Sequence, residues 1–447
     1  MRRLTEALHC TAAFTPERFA NLVAQFDVDW ISEALAATGC ATLRRRRLPM
    51  EQVILLVLGM ALMRDRPIAE VARTLDLALP SGSSRSTAPS ALVKARQRLG
   101  ADPLEWLFGH TAAQWGHDSA SRDTWRGLAL YAVDGSTLRV PDSDANRAHF
   151  GGQKGGLRGR GDSGYPQMRL SVLMAVRSHL LVGASFAPYS FDERTLSVDL
   201  WPMIPKDSLT LLDRGYLQAN VLVPLAREAN RHWLTRAKSN SVWHVVKRMG
   251  TGDLLVEMTV SSEARRKDPT LPATFPARAI TYQRKGFAAQ ILLTSLVDAK
   301  RFPAKELREL YHERWEIELG YDELKTEMLD REEAIRSKSP EGVAQELWGI
   351  LLAYNLVRRE MEAIADEVSL PPLRISFVAA LRYIVEEFGW ATLTRSPGAI
   401  PRHMADLRDK IRRFVLPPRR ERASYPRAVK IKMSNYILNR RRKTPVK

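Results

Sequence analysis

Apolar residues recur at helical spacing through about the first 118 positions, as in Leu55, Leu58, Met60, Ala61 and Leu62. The run from Val53 to Met63 is almost wholly apolar. It falls well short of the ~20 residues that span a bilayer, so it predicts a buried helix. Pro67 opens a short helix, PIAEVARTL, at its first turn, where a missing N–H is harmless. A Ser/Gly loop over Ser81 to Ser86 follows, then a second helix, SALVKARQRLG, ending at Gly100. Helix, loop and a basic helix carrying Lys94, Arg96 and Arg98 outline a helix-turn-helix, although the loop is long for a strict version. Those three cations are candidate DNA contacts. A plain solvated basic face fits them equally well.

From Gly127 the pattern shortens. Leu128 to Val133 (LALYAV) is an apolar run of strand composition ending in Asp134-Gly135. Met168 to Val176 and Leu180 to Phe186 are two further strands, and Glu193 to Trp201 fits a helix. Leu209 to Leu212 is a short buried strand ending in Asp213-Arg214-Gly215. A helix (YLQANVLVPLAREAN) and a strand, Trp233 to Arg236, follow. This order predicts one mixed α/β sheet. Residues 239–300 are β-rich, with turn signals such as Arg284-Lys285-Gly286, and resemble a β insertion. Residues 304–330 predict one long helix, and 340 to about 415 are helical again. The expected organisation is a helical N-terminal domain over 1–118, an α/β catalytic domain over 127–334 with its β insertion at 239–300, and a helical region over 335–447 ending in a basic tail.

Composition adds a partner. The chain of 447 residues has 68 Lys and Arg against 50 Asp and Glu, a formal charge of +18. Such an excess points to a polyanion, nucleic acid before an anionic membrane. The last 47 residues, Pro401 to Lys447, hold 16 basic against 3 acidic residues, interleaved with Phe414, Tyr425 and Tyr436. That segment is expected to bind phosphate backbone. The two cysteines, Cys10 and Cys40, exclude a disulfide framework and suit a reducing compartment. The N-terminus has basic residues but no apolar core of a signal peptide. The expected location is the cytoplasm of a bacterium, at the nucleoid when DNA is bound.

Two aspartates stand at equivalent places, Asp134 and Asp213, each following a predicted buried strand. If those strands are parallel neighbours, both carboxylates emerge at one edge of the sheet. A single such Asp is usually a turn residue or a cap. Asp142 and Asp144 lie nearby in a Pro-containing loop and are weaker candidates. The helix through LYHERWEIELGYDELKT adds Tyr311, Arg314, Glu318 and Lys325. Relative to Tyr311, at 100° per residue, the last three fall at about −60°, −20° and −40°, one narrow stripe, with Glu316 about 140° away. Taken alone, the stripe reads better as a salt-bridge ladder, since Arg314 and Glu318 are i,i+4. After the two aspartates it reads as a carboxylate with three phosphate-facing partners. Three carboxylates at a sheet edge suit two hard cations, Mg²⁺ with Mn²⁺ as a substitute, clamping a phosphodiester exchange.

The spacing Tyr-x2-Arg-x3-Glu-x6-Lys resembles the signature of the bacterial insertion sequence 4 family of DDE transposases. Asp134-Gly135-Ser136 and Asp213-Arg214-Gly215-Tyr216 resemble the family's two aspartate motifs, with Ser136 where the family often has Thr. LLTSLVD ahead of the helix, GYPQMRL, and RSKSPEGVAQELWGILLAYNLVRR beyond it match as well, so the resemblance covers roughly 45–430. It implies a ribonuclease H-like mixed sheet with a β insertion before the glutamate, flanked by helical N- and C-terminal domains. It implies Asp134, Asp213 and Glu318 as metal-binding catalytic residues, with Tyr311, Arg314 and Lys325 at the 5′ phosphate of the DNA end. It also implies double-stranded DNA partners (terminal inverted repeats and target), a homodimer in the synaptic complex, and a hairpin step. A DNA-binding relic without catalysis and a structure-specific nuclease are the alternatives.

Other signals weigh less. Gly159 to Gly164 fits GxGxxG but neither follows a strand nor opens a helix, so no dinucleotide site is expected. The wider Gly151–Gly164 run, with Lys154, Arg158 and Arg160, reads as a loop that closes over DNA or as a plain connector. There is no P-loop, HExxH or CxxC, so neither a nucleotide nor a zinc site is expected. Trp106, Trp233 and Trp348 read as core, and Trp243 as core or turn packing before base stacking.

Overall fold

The computed structural model describes residues 26–27, 29–41, 48–75, 77, 88–153, 163–227, 230–283, 289–329, 335–393 and 400–417. The Ser81–Ser86 loop, Cys10, most of the glycine-rich run with Lys154, Arg158 and Arg160, the Arg284-Lys285-Gly286 turn and the tail beyond 417 lie outside them. Chain contacts divide the protein into two compact units. Among the described residues, one is built from those within 26–115, 138–151 and 322–417, the other from those within 116–137 and 152–321. The helical segments before and after the sheet, read separately in the sequence, thus belong to one unit.

Among the described residues the second unit is built on a nine-stranded sheet that, with strands numbered in chain order, runs 3-2-1-4-5-9-8-7-6. Its first strands are β1 (Ala129–Arg139), β2 (Gln167–Ala175), β3 (Leu181–Pro188), β4 (Ser208–Leu212) and β5 (Arg231–Arg236). β1 pairs parallel with β4 and β4 with β5, while β2 and β3 form an antiparallel hairpin. This is the expected ribonuclease H-like mixed sheet. Residues 129–133 and all of β4 are buried, as central strands covered on both faces must be, which is why they read as unbroken apolar runs. The β-rich stretch supplies β6 (Trp243–Gly250), β7 (Asp253–Thr259), β8 (Thr274–Tyr282) and β9 (Gln290–Thr294). All four join antiparallel, so the insertion extends the same sheet beyond β5. Arg278 locks it from within: its fork donates to both Asp253 oxygens (2.7 and 2.6 Å) and its third nitrogen to the Phe302 carbonyl (2.6 Å).

The first unit is helical. Helix Met50–Leu62 is buried from Val53 to Leu62 and crosses helix Pro340–Glu367, where Gly349 lets the backbones approach Val57. Glu346 is buried between them. It ion-pairs with Arg64 and accepts from the Arg336 amide (2.9 Å) and from Ser337 Oγ (2.7 Å). Trp348 packs on Phe108, and Cys40 is a free thiol.

Two expectations change in detail. β1 does not end at Asp134-Gly135 but continues to Arg139, because only its pairing with β4 stops at Val133. The 304–330 segment is not one uniform α-helix. It runs as α over Ala304–Leu310, 3₁₀ over Tyr311–Arg314, α over Trp315–Asp322 and π over Glu323–Met328. A 3₁₀ turn eclipses residues three apart, so Tyr311 and Arg314 stand in line. The π turn opens the helix ahead of Lys325, so the even 100° count fails there. Within that turn Glu323 accepts from Tyr354 Oη (2.9 Å) and ion-pairs with Arg358, both fixed on helix Pro340–Glu367.

Candidate active site

β1 and β4 are parallel with Val133 opposite Leu212. The next residues are Asp134 and Asp213, so the register itself sets the two carboxylates side by side. Asp134 Oδ1 accepts from its neighbour's amide, Gly135 N (2.9 Å). Its carbonyl accepts from Tyr321 Oη (2.8 Å) and Ser171 Oγ (3.3 Å). Asp213 caps the short turn Arg214–Tyr216, accepting from Gly215 N (3.4 Å), and its carbonyl accepts from Thr235 Oγ1 (3.2 Å). Both backbones are therefore pinned where the side chains leave the sheet.

The signature helix brings the third carboxylate. Arg314 Nη2 donates to Glu318 Oε1 (2.8 Å), and Arg314 Nη1 lies 4.0 Å from Asp134 Oδ2. Tyr311 Oη donates to the carbonyl of Leu212, the residue before Asp213 (3.4 Å). Asp134, Asp213, Glu318, Tyr311 and Arg314 thus form one cluster. Burial opposes the Arg314 charge, but the Glu318 hydrogen bond and the nearby anionic groups outweigh it and hold its pKa above the usual value. Burial raises the Tyr311 hydroxyl as well.

A fourth carboxylate completes the picture. Glu193, the first residue of the helix Glu193–Leu196 that follows β3, reaches the same place. Its Oε1 accepts from Tyr216 Oη (3.0 Å), and the chain continues through Ser197 Oγ (2.9 Å) to Ser171 Oγ (2.7 Å), which holds the Asp134 carbonyl. Burial pushes Asp134 up to about 7, with the Glu193 and Asp213 charges adding and the Gly135 amide and Arg314 opposing. Sequence reading placed Glu193 only as the start of a helix.

All the donors here are hard carboxylate oxygens, the set that suits a hard divalent cation. Such a cation would offset the burial that chiefly raises Asp134 and the Glu193 and Asp213 charges that add to it. Asp134 and Asp213 fit that role as they stand, whereas Glu318 is occupied by Arg314. In this arrangement no group of three His, Cys, Asp or Glu among the described residues is close enough to hold an ion.

The remaining candidates fall elsewhere. Lys325 belongs to the helical unit, where burial lowers its pKa against the pull of Asp322. On helix Pro89–Leu99 in the same unit, Lys94 and Arg98 are exposed. Arg96 instead turns inward and donates to Gln345 Oε1 (2.9 Å) and Ser337 Oγ (3.2 Å). Asp142 pairs with Arg147, and Asp144 opens a short helix. Trp233 and Trp348 are buried, Trp106 stacks on His110, and Trp243 packs against the sheet core.

Comparison with known proteins decides the lineage. Residues 125–356 match the family description "Transposase DDE domain", and residues 16–109 match "Insertion element 4 transposase N-terminal". The chain is 40% identical over 408 residues to the transposase InsG for insertion sequence element IS4 of Escherichia coli (strain K12), covering 90% of each chain. The chain belongs to the IS4 family of DDE transposases. It is an enzyme that acts on DNA, and DDE transposases generally use divalent metal ions. A solved piggyBac transposase synaptic complex with hairpin DNA aligns over 93% of this chain and 88% of that one, at 13% identity and a TM-score of 0.41. Among the described residues no helix is long and apolar enough to cross a membrane.

Proposed function

We propose that this IS4-family transposase binds the terminal inverted repeats of its own element and cuts and rejoins DNA with Asp134, Asp213 and Glu318 as its catalytic triad. The observation that carries the reading is the β1–β4 register, with Val133 opposite Leu212, together with the Arg314 link to Glu318. Once Arg314 releases Glu318, the three carboxylates would hold two divalent cations, Mg²⁺ or Mn²⁺. Bound there, these would supply a nucleophilic oxygen and a counter-charge for the phosphodiester under attack.

The protein's part is positioning. The pinned carbonyls of Asp134 and Asp213 fix where their side chains stand. Arg314 exchanges Glu318 for a phosphate oxygen of the DNA end, Tyr311 contacts the same phosphate, and Lys325 contacts the DNA end. Water attacks a phosphodiester at each end and leaves a 3′-OH and a 5′-phosphate. The 3′-OH then attacks the opposite strand, giving a hairpin, and after its reopening attacks target DNA. Each step exchanges one phosphodiester bond for another or for water, so no nucleotide is consumed. Two protomers pair in the synaptic complex so that both ends are held at once. The exposed Lys94 and Arg98 and the basic tail supply phosphate contacts outside the triad.

The test is cleavage of a plasmid carrying the gene's own flanking DNA, with Mg²⁺ or Mn²⁺, beside the Asp134→Ala protein. Paired cuts at inverted repeats, lost on chelation and absent in Asp134→Ala, are the expected result. Metal-dependent cleavage that survives Asp134→Ala overturns the triad. Binding without cuts marks a relic, and scattered cuts at branched sites mark a nuclease.

A further inference from the structure

The signature helix has a second charged face. Glu313 and Glu316 lie three residues apart and, at helical spacing, Glu316 stands about 160° from Glu318. The tip of the β2–β3 hairpin meets that face with two basic side chains. Arg177 donates to Glu313 through Nε (2.9 Å) and Nη2 (3.0 Å), a bidentate fork, and through Nη1 to Asp123 (2.6 Å). His179 Nε2 donates to Glu316 Oε2 (3.0 Å), with the imidazole 2% exposed and the carboxylate 10%. His179 has φ 61°, left-handed backbone that a non-glycine residue adopts at some strain. The turn thus holds a strained conformation that aims an imidazole at the helix.

We propose that Arg177 and His179 are positioning residues: they grip Glu313 and Glu316 and so set the rotation of the helix that presents Arg314 and Glu318 to Asp134. Two anchors on one face fix both the height and the angle of a helix segment. A bidentate fork adds direction that a single point charge does not. The segment needs such anchoring because its hydrogen-bonding pattern changes on both sides, from 3₁₀ to α and from α to π. A 20° rotation about the axis moves a carboxylate several ångströms from that axis by about 2 Å, which is enough to spoil a catalytic contact. This inference rests on the reading of Glu318 as a triad member.

The test compares Arg177→Ala, His179→Gly, Glu316→Ala and Glu316→Gln in the full-length protein. Glycine at 179 suits φ 61° and removes only the imidazole, so His179→Gly keeps the turn. In the first three variants the cleavage rate at saturating end DNA is expected to fall about 10- to 100-fold. The DNA concentration giving half the maximal rate should stay within about twofold, since only the reacting geometry is disturbed. Glu316→Gln keeps an acceptor for His179 and should recover most of the rate. Losses that merely track the folded fraction, or an unchanged rate in His179→Gly, overturn the proposal. Amide hydrogen exchange over residues 311–322 provides a readout independent of activity. It should speed up in Arg177→Ala and His179→Gly while helix Pro340–Glu367 stays protected, and unchanged exchange refutes the clamp. If wild-type protein cuts no DNA, the triad reading fails, and the exchange measurement still decides whether the clamp exists.

Discussion

Gly135 is the residue most tightly constrained by the candidate site, so Gly135→Ala is the sharpest perturbation of it. A Cβ there would stand 2.3 Å from Glu193 Cγ, 2.4 Å from Cδ and 2.8 Å from Oε1. Non-bonded carbons rest at about 3.5–4.0 Å, so one of the two groups must move by roughly 1 Å. Glu193 does not yield freely, because Tyr216 Oη holds its carboxylate at 3.0 Å and Tyr216 is 1% exposed. Overpacking of this kind costs about 1–3 kcal/mol. For a unit of this size that is a Tm drop of about 2–12 °C. Because Gly135 adjoins Asp134, a shift of about 1 Å should also lower the cleavage rate about 100-fold. The assay is a double-mutant cycle by thermal denaturation and end cleavage, with Glu193→Ala as the second substitution. Removing the Glu193 side chain leaves room for the new methyl, so Gly135→Ala/Glu193→Ala should recover most of the lost stability. A Gly135→Ala protein with wild-type Tm and cleavage, or a double variant no more stable than Gly135→Ala alone, would refute the argument.

Arg278→Ala should destabilise the sheet by about 3–5 kcal/mol, because it strands the buried Asp253 carboxylate, and Arg278→Lys should not rescue it, since one ammonium cannot reproduce the fork; chemical denaturation of the three proteins decides this. Burial alone would raise the Glu346 carboxyl, but the Arg64 charge and hydrogen bond, the Arg336 amide and Ser337 outweigh it and hold the pKa below its ordinary value. A depressed folded-state pKa contributes stability above the unfolded value of about 4.3 that fades as pH falls through the folded value. The Tm of wild type should therefore drop more steeply than that of Glu346→Gln below about pH 4.3, and parallel curves would count against this ion pair. At Gly349 an alanine Cβ would lie 2.6 Å from Val57 Cγ1. Alanine's better helix propensity, about 1 kcal/mol, should be outweighed in Gly349→Ala but reappear once Val57→Ala is added, which thermal melts of the single and double variants will show.

The site was legible where chemistry depends on local order. Asp134-Gly135 follows the buried half of β1 and Asp213-Arg214-Gly215-Tyr216 follows β4, because a carboxylate must stand where apolar packing stops. The 311–318 spacing survives the change from 3₁₀ to α because its members lie within two turns. Lys325 lies within the π turn Glu323–Met328, and no periodicity count enters such a turn unaltered. Arg96 read as a surface cation because its partners, Gln345 and Ser337, are more than 240 residues away in the chain.

The sequence by itself determined the family and the mixed α/β class and singled out the two aspartates and the glutamate as candidates, since motif spacing and apolar runs are properties of contiguous residues. Only the tertiary structure decided which strands are neighbours, that β6 to β9 continue the same sheet, and that Glu193 joins Asp134. It alone decided that Arg177 and His179 hold the far side of the signature helix. Those facts depend on pairings between distant segments. A pairing is fixed by the burial and hydrogen bonding of both partners at once, which neither segment encodes alone.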